Sequence, residues 1–228
     1  MFMLSIVVPV FGVEKFILDF AESLLPQLNE KVQLIVVNDG TKDNSIVLLK
    51  NYINKINYKY NNIIFLEQNN QGQSVARNYG ISMSQGTYVT FLDPDDRVGN
   101  TYIAKICENI ENFNPDVIHF NLAVFLNDTG KKINTLCIAD NNNLIFNSYE
   151  NNLKMFKKAL WFSVMRVVKK DFLNNQFFPV GVIYEDMIAF PEIYKNVNTI
   201  KNINEELVYY RIHLGSSTQG FQPKQIIS

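Results

Sequence analysis

The chain has 228 residues and a mass of 26.3 kDa, with 21 Lys and Arg against 22 Asp and Glu, a formal charge of −1 and a pI near 6.1. That balance excludes the large basic excess of a nucleic-acid binder, and 47% apolar with 19% charged residues excludes general disorder. Two cysteines, Cys107 and Cys137, are too few for a disulfide framework or a zinc ribbon, and they read as small buried hydrophobes in a reducing compartment.

The longest apolar runs, such as 4–13, reach about half of the ~20 residues a membrane-spanning helix needs. The N-terminus lacks a basic region and a small-residue cleavage site, so it is expected to be part of the fold and not a leader. Short, β-branched apolar runs at 4–10, 33–38, 63–67 and 88–92 have the length and composition of buried parallel strands. Between them, 14–28, 44–56 and 74–84 carry helical spacing. The first helix sets Phe16, Phe20, Leu24 and Leu28 on one stripe, and Ser74 is the expected N-cap of the third. This alternation predicts βαβ units: a parallel sheet with helices on both faces.

Past Asp96 the rhythm changes. A β pair is expected at 116–126 and 132–138, turning at Asn127-Asp128-Thr129-Gly130. Helices at 148–159 and 185–194 and a last strand at 207–212 follow. Neither an internal repeat nor a flexible linker is present. The expected class is therefore α/β: a single domain over 1–228, with a parallel, Rossmann-like half at 1–97 and a mixed half at 98–228 sharing one core.

Ligands of open α/β sheets bind beyond the carboxyl ends of the strands. The four expected strands are followed by Pro9-Val10-Phe11-Gly12, Asn38-Asp39-Gly40-Thr41, Asn69-Asn70-Gln71-Gly72-Gln73 and Asp93-Pro94-Asp95-Asp96. Three carboxylates within the last four residues repel one another unless a cation offsets them, and hard oxygen donors suit Mg²⁺ or Mn²⁺. The plainer alternative is a solvated turn capping a helix that begins near Val98. Gly12 stands alone, so the dinucleotide fingerprint is absent, and Gly40-Thr41-Lys42-Asp43 has the wrong spacing for a P-loop. No nucleophile elbow occurs either. Nicotinamide dehydrogenases, P-loop kinases and α/β-hydrolases are thereby excluded.

The runs Ser5–Phe11, Val36–Asp43, Asn70–Asn78 and Phe91–Asp96 resemble, in order and spacing, the family 2 inverting glycosyltransferases of the GT-A fold. The likeness covers roughly 3–97 and continues more loosely through Tyr184-Glu185-Asp186-Met187 and Tyr209-Tyr210-Arg211-Ile212-His213. It implies that the first half binds a UDP-sugar donor and the second half the acceptor. Pro9, Phe11 and Asp39 would hold uracil and ribose; Gln71, Gly72 and Arg77 would line the ribose and donor sugar. Asp93 and Asp95 match the element that binds Mn²⁺ or Mg²⁺ and, through it, the diphosphate, with His213 as a further metal or diphosphate contact. Asp96 would face the sugar or orient the loop, and Arg211 falls among the donor-binding residues. Asp186, with Glu185 beside it, would be the catalytic base. The chain stops soon after Gly215-Ser216-Ser217-Thr218 without the longer C-terminal helices of many relatives, as a truncated form or one module of a longer polypeptide would.

The chemistry asks for such groups. Inverting transfer passes through an oxocarbenium-like state while the leaving diphosphate gains charge, and a carboxylate across the pocket must take the acceptor's proton. The resemblance therefore implies metal-dependent transfer to a hydroxyl of a glycan or lipid-linked acceptor in bacterial capsule, lipo-oligosaccharide or other surface-polysaccharide synthesis. A nucleotidyltransferase and a non-catalytic nucleotide-sugar-binding module are the alternatives. Each residue also has a plainer reading: Asp39 as a turn residue, Arg77 as a surface ion pair, Glu185-Asp186 as helix N-terminal charges. His119 reads as a satisfied core residue, and Trp161 and Phe162 as core or acceptor-pocket wall. Six basic residues (Lys154, Lys157, Lys158, Arg166, Lys169 and Lys170) face one acid, Asp171, between 151 and 172. They are solvated faces or a contact with an anionic lipid surface or charged glycan. The expected location is the cytoplasm, with peripheral contact at the inner face of the cytoplasmic membrane as the variant.

Overall fold

The computed structural model describes residues 2–213; Gly215-Ser216-Ser217-Thr218 lies outside the described residues. Four parallel strands open the chain: β1 (Leu4–Val10), β2 (Val32–Asn38), β3 (Ile63–Glu67) and β4 (Tyr88–Phe91). They lie within one residue of the expected runs. Six helices follow the strands or punctuate the second half: α1 (Ile17–Leu24), α2 (Ser45–Lys55), α3 (Gln73–Met83), α4 (Tyr102–Phe113), α5 (Tyr149–Lys158) and α6 (Glu185–Ile193).

Alternation along β1 sorts these helices onto two faces. Leu4, Ile6, Val8 and Val10 join one core cluster with α1, α2 and α4, while Val7 joins another with α3, α5 and α6. Both faces of β1 are covered, which is why its seven residues are all buried and its sequence is apolar save Ser5, whose hydroxyl donates to Gln33 Oε1 at 2.7 Å. A Cβ on Gly80 would stand 2.2 Å from Val7 Cγ1, so only glycine lets α3 lie directly on β1.

The remaining strands are β5 (Arg97–Val98), β6 (Val117–Leu126), β7 (Lys132–Leu136), β8 (Leu144–Phe146), β9 (Arg166–Lys169) and β10 (Thr199–Ile212). All ten strands form one sheet in the order β3-β2-β1-β4-β9-β6-β10-β5, with β7 alongside β6 and β8 alongside β10. The expected β6–β7 hairpin forms, antiparallel. β9 inserts antiparallel between β4 and β6 and so welds the parallel half to the mixed half.

Several expectations change. Helix α4 begins at Tyr102, not near Val98, because Arg97 and Val98 are drawn into a strand pair with Val208 and Tyr209. The first helix starts at Ile17 and gives way to a 3₁₀ turn at Leu25–Gln27, where Pro26 cannot donate into an α-helix. The N-cap of α3 is Gly72, at φ 89°, and Ser74 sits in the first turn. β10 is far longer than 207–212: register shifts between Ile203 and Val208 carry it past polar residues that hide its strand pattern. Cys107 is half-buried and Cys137 is exposed; both are free thiols, so only Cys107 behaves as the small hydrophobe expected. No helix among the described residues is long and apolar enough to cross a membrane.

Candidate active site

The strand order reverses at β1: the chain runs outward through β2 and β3 on one side and returns to β4 on the other, and a crevice opens beyond the carboxyl ends at such a point. A cavity of about 610 Å³ lies there. It takes in Pro9, Phe11, Asp39, Gln71, Gly72, Arg77, Asp93, Asp95, Glu185, Asp186 and His213. Residues from both ends of the chain thus share one pocket.

The wall beyond β1 and β2 is fixed by loop-to-loop hydrogen bonds. The Gly12 and Glu14 amides donate to Thr41 Oγ1 and Asp43 Oδ2, each at 2.9 Å, which leaves the Phe11 ring half-exposed at the mouth. Asp39 is buried and accepts from the Gln71 and Gly72 amides at 2.8 and 2.9 Å and from Gln68 Nε2 at 2.8 Å. Its carboxylate therefore ties the β3–α3 loop to the end of β2, more than a turn residue would. Gly40, at φ 70°, sits beneath that loop, where a Cβ would lie 2.8 Å from the Asn70 amide nitrogen.

Arg77 spans the pocket floor. It is buried, and its guanidinium donates to Asp93 Oδ1 at 2.8 Å and to Glu185 Oε1 at 2.5 Å while lying over the Phe178 ring. The surface ion-pair reading is overturned: this is a buried two-way bridge between the loop after β4 and the start of α6. The next residue, Asn78, holds the same segment by its backbone, donating to the Phe178 carbonyl at 2.8 Å and accepting from the Phe178 amide at 2.9 Å.

Asp95 and His213 meet at the other end, His213 Nε2 lying 3.1 Å from Asp95 Oδ2. Burial and the neighbouring Asp93 charge push the Asp95 carboxyl above the usual carboxylate range, although His213 opposes this. Among the described residues no set of three or more His, Cys, Asp or Glu side chains converges as a complete metal site. One carboxylate and one imidazole nevertheless fit Mn²⁺ or Mg²⁺ of the kind that keeps phosphate and water ligands. Asp93 Oδ1 accepts from Arg77 and from Gln73 Nε2 at 3.0 Å, and Asp93, Asp95 and His213 all line the cavity.

Two expected binding residues stand behind the pocket instead of lining it. Asp96 is fully buried; its Oδ1 accepts from the Arg211 amide at 2.9 Å, and burial raises its carboxyl well above the ordinary range. Arg211 donates to the Asp95 carbonyl at 2.7 Å, Asn127 Oδ1 at 2.8 Å and Asp19 Oδ2 at 2.9 Å, between the Phe16 and Phe125 rings. Every one of these contacts is spent on protein groups, so the pair positions the acidic loop and β10 against each other. Direct donor contact is not available to them.

Asp186 opens α6 beside Glu185, after Tyr184 in a left-handed conformation at φ 61°. A bulky residue rarely adopts that geometry, and strain of this kind gathers at sites where a loop must aim a side chain. Burial is the largest influence on Asp186 and raises its pKa; Glu185 adds to the rise, while Arg77 and Arg166 oppose it. A carboxyl poised above its ordinary value is a stronger base once ionised.

Phe16 belongs to the cavity without having been foreseen, and the open readings of Phe162, Trp161, the basic stretch and His119 are resolved. Phe16, expected only in a core stripe, lines the cavity and lies 4.3 Å from the His213 ring. Phe162 lines the cavity whereas Trp161 is core. Arg166 is wholly buried, donates to the Leu160 and Trp161 carbonyls and lies over Phe190 at 4.5 Å. The basic stretch is therefore no continuous surface: Lys169 pairs with Asp116, and Lys158 and Lys170 reach the Ile138 and Ser84 carbonyls. His119 is buried against the Tyr194 hydroxyl, as a core histidine.

A sequence model of glycosyl transferase family 2 matches residues 5–177, and the chain belongs to that family. Glycosyltransferase GlyA of Streptococcus pneumoniae serotype 4 is 27% identical over 97% of this chain, which corresponds to 32% of GlyA. Minor teichoic acid biosynthesis protein GgaB of Bacillus subtilis is 39% identical over 48% of the chain and 12% of its own length. The crystal structure of S. aureus TarS 1–349 with UDP-GlcNAc superposes with a TM-score of 0.78 at 20% identity, covering 96% of this chain and 61% of that one. The fold is thus the GT-A-type, Rossmann-like mixed sheet, and the chain spans about a third of GlyA.

Proposed function

We propose that this family 2 chain is a metal-dependent inverting glycosyltransferase that moves a sugar from a UDP-sugar to a hydroxyl of a glycan or lipid-linked acceptor in bacterial surface-polysaccharide synthesis. The observation that carries the reading is the shared cavity, in which Arg77 links the Asp93 end to Glu185, beside Asp186. A nucleotide-sugar-binding module would have no use for Asp186, a half-buried carboxylate lining the far side of the cavity. The UDP-GlcNAc in the TarS complex supports a UDP-sugar as donor, and the part of GgaB in minor teichoic acid biosynthesis and of TarS as a poly(ribitol-phosphate) beta-N-acetylglucosaminyltransferase support a cell-wall polymer as the acceptor class.

In this reading Phe11 stacks on the base at the mouth, and Asp39 keeps Gln71 and Gly72 in place along the ribose. Asp95 and His213 hold Mn²⁺ or Mg²⁺, which when bound supplies positive charge against the diphosphate. Arg77 supports Asp93 and the start of α6 in one geometry. Asp186 takes the proton of the acceptor hydroxyl as it attacks the face of the anomeric carbon opposite the departing UDP. No covalent intermediate is needed. A nucleotidyltransferase is disfavoured because the loop after β1 carries no Gly-rich, basic phosphate grip.

The test is UDP release across a panel of UDP-sugars, each with Mn²⁺ and with chelator. Release from one donor that depends on metal is expected. Equal release in chelator would remove the metal from the account, and release of pyrophosphate from nucleotide triphosphates in place of UDP would replace the reaction.

A further inference from the structure

Sixteen large apolar side chains are exposed among the described residues, and nine of them fall between 146 and 188. Single exposed apolar residues scattered over a surface are ordinary; a concentration marks a contact. Four belong to β8 and α5: Phe146, Tyr149, Leu153 and Phe156, the last three on one side of the helix. The other five, Val180, Val182, Ile183, Met187 and Ile188, form the loop before α6 and its first turn. Both helices bury their inner sides in the same core cluster, through Met155 of α5 and Ala189, Phe190 and Ile193 of α6, so the two groups flank the same side of the sheet.

The chemistry of this face narrows its occupant. From Phe177 to Ile183 no side chain can hydrogen-bond, and Val180, Val182 and Ile183 present only aliphatic surface. Sugars are gripped by aromatic faces and polar donors, and the exposed Val180, Val182 and Ile183 offer neither; hydrocarbon is what aliphatic surface prefers. On the same side of the sheet α5 adds cations: Lys154, Lys157 and Lys158, of which Lys154 and Lys157 are exposed, Lys154 pairs with Glu150 at 2.9 Å and Lys158 with Asp140 at 3.3 Å. An aliphatic wedge beside lysines matches the interfacial layer of an anionic bilayer, where apolar groups enter the acyl boundary and lysines meet the headgroups. The lip is also continuous with the pocket, since Val182 and Ile183 line its mouth next to Asp186.

We infer that the face carrying the 180–188 lip and α5 docks on an anionic lipid surface. It sets the mouth of the Asp186 pocket at the level where a lipid-carried acceptor presents its hydroxyl. The last clause rests on the glycosyl-transfer reading; the docking surface does not. The contact differs from the basic stretch read from the sequence, because Arg166, Lys169 and Lys170 are occupied inside the fold and the aliphatic lip supplies the anchor.

Vesicle flotation tests it, using phosphatidylcholine vesicles with and without phosphatidylglycerol. The wild-type chain should float with the anionic vesicles and less with the neutral ones. The double variant Val180→Asp/Met187→Asp, which leaves the pocket-lining residues intact, should lose roughly tenfold or more in partition. Lys154→Glu/Lys157→Glu should lose about tenfold or more on anionic vesicles, less at high salt. UDP binding and melting temperature of each variant, unchanged from wild type, show that the fold and pocket survive. Failure of the wild type to float, equal flotation of the lip variant, or a lip-dependent dimer in place of vesicle binding would overturn the surface. Flotation without any UDP binding would uphold the surface and sink the reading of the pocket.

Discussion

The two ends of the pocket are built to different standards. The acidic loop at Asp93–Asp96 is bolted to the sheet: Arg211, near the carboxyl end of β10, holds the Asp95 carbonyl by its side chain and Asp96 by its backbone. The 178–186 segment is pinned by side chains from a single helix, Arg77 to Glu185 and Asn78 to Phe178, with left-handed residues at Gly181 and Tyr184 between the two pins. One end is a platform and the other a suspended loop. A donor needs a rigid charge-bearing seat, while the acceptor side gains from a segment that can admit a second substrate.

Removing the shared pin is the largest perturbation. Arg77→Ala leaves Asp93 and Glu185 as uncompensated, mostly buried carboxylates, and about 3–5 kcal/mol of stability should be lost. Arg77→Lys keeps the charge without the fork and should rescue stability in part and turnover poorly, as read by denaturation and UDP release. Arg211→Gln should cost about 2–3 kcal/mol. It should also raise the Mn²⁺ concentration needed for half-maximal turnover, because the loop bearing Asp95 is loosened relative to His213. An unchanged metal requirement would show that the platform does not depend on that clamp. Asn78→Ala should cost about 1–2 kcal/mol, since the Phe178 amide and carbonyl lose their partner. Its kinetic effect should fall on the acceptor KM with UDP affinity intact, which sharpens the division between the two ends.

The smallest effect concerns pH. Asp186 must be ionised to act, so turnover falls as pH drops through its raised pKa, and the acid limb should lie above the usual carboxylate range. Glu185→Gln keeps an oxygen acceptor for Arg77 but removes a charge that raises that pKa. The acid limb should move to lower pH; movement upward would assign the limb to another group.

The platform was legible from the sequence and the suspended loop only in outline. Strands β1, β2 and β4 are covered on both faces and β3 is half-buried at the sheet edge, so all four read as short, mostly apolar runs with plain boundaries. The four segments after them carry side chains that folding alone does not require. β5, β8 and β9 contain four residues or fewer and exist because neighbouring strands complete their hydrogen bonds, a fact no local pattern encodes. For the same reason Arg211 and Asp96 read as ligands: Asp96 stands next to Asp95 and Arg211 two residues before His213, whereas Arg211 is turned inward by Asp19 and Asn127 and Asp96 is capped by the Arg211 amide, partners far away in the chain. Phe16 carries no signal beyond its place in a helical stripe, and Asn78 stands beside Arg77 without any spacing that announces its partner.

The central claim is that Asp186 takes the acceptor proton while the opposite end binds the donor. Asp186→Asn, nearly isosteric, should bind UDP with wild-type affinity in the presence of Mn²⁺ and lose about 10²–10⁴-fold in transfer rate. Full transfer by that variant, or a loss of UDP affinity equal to the loss of rate, would contradict the account.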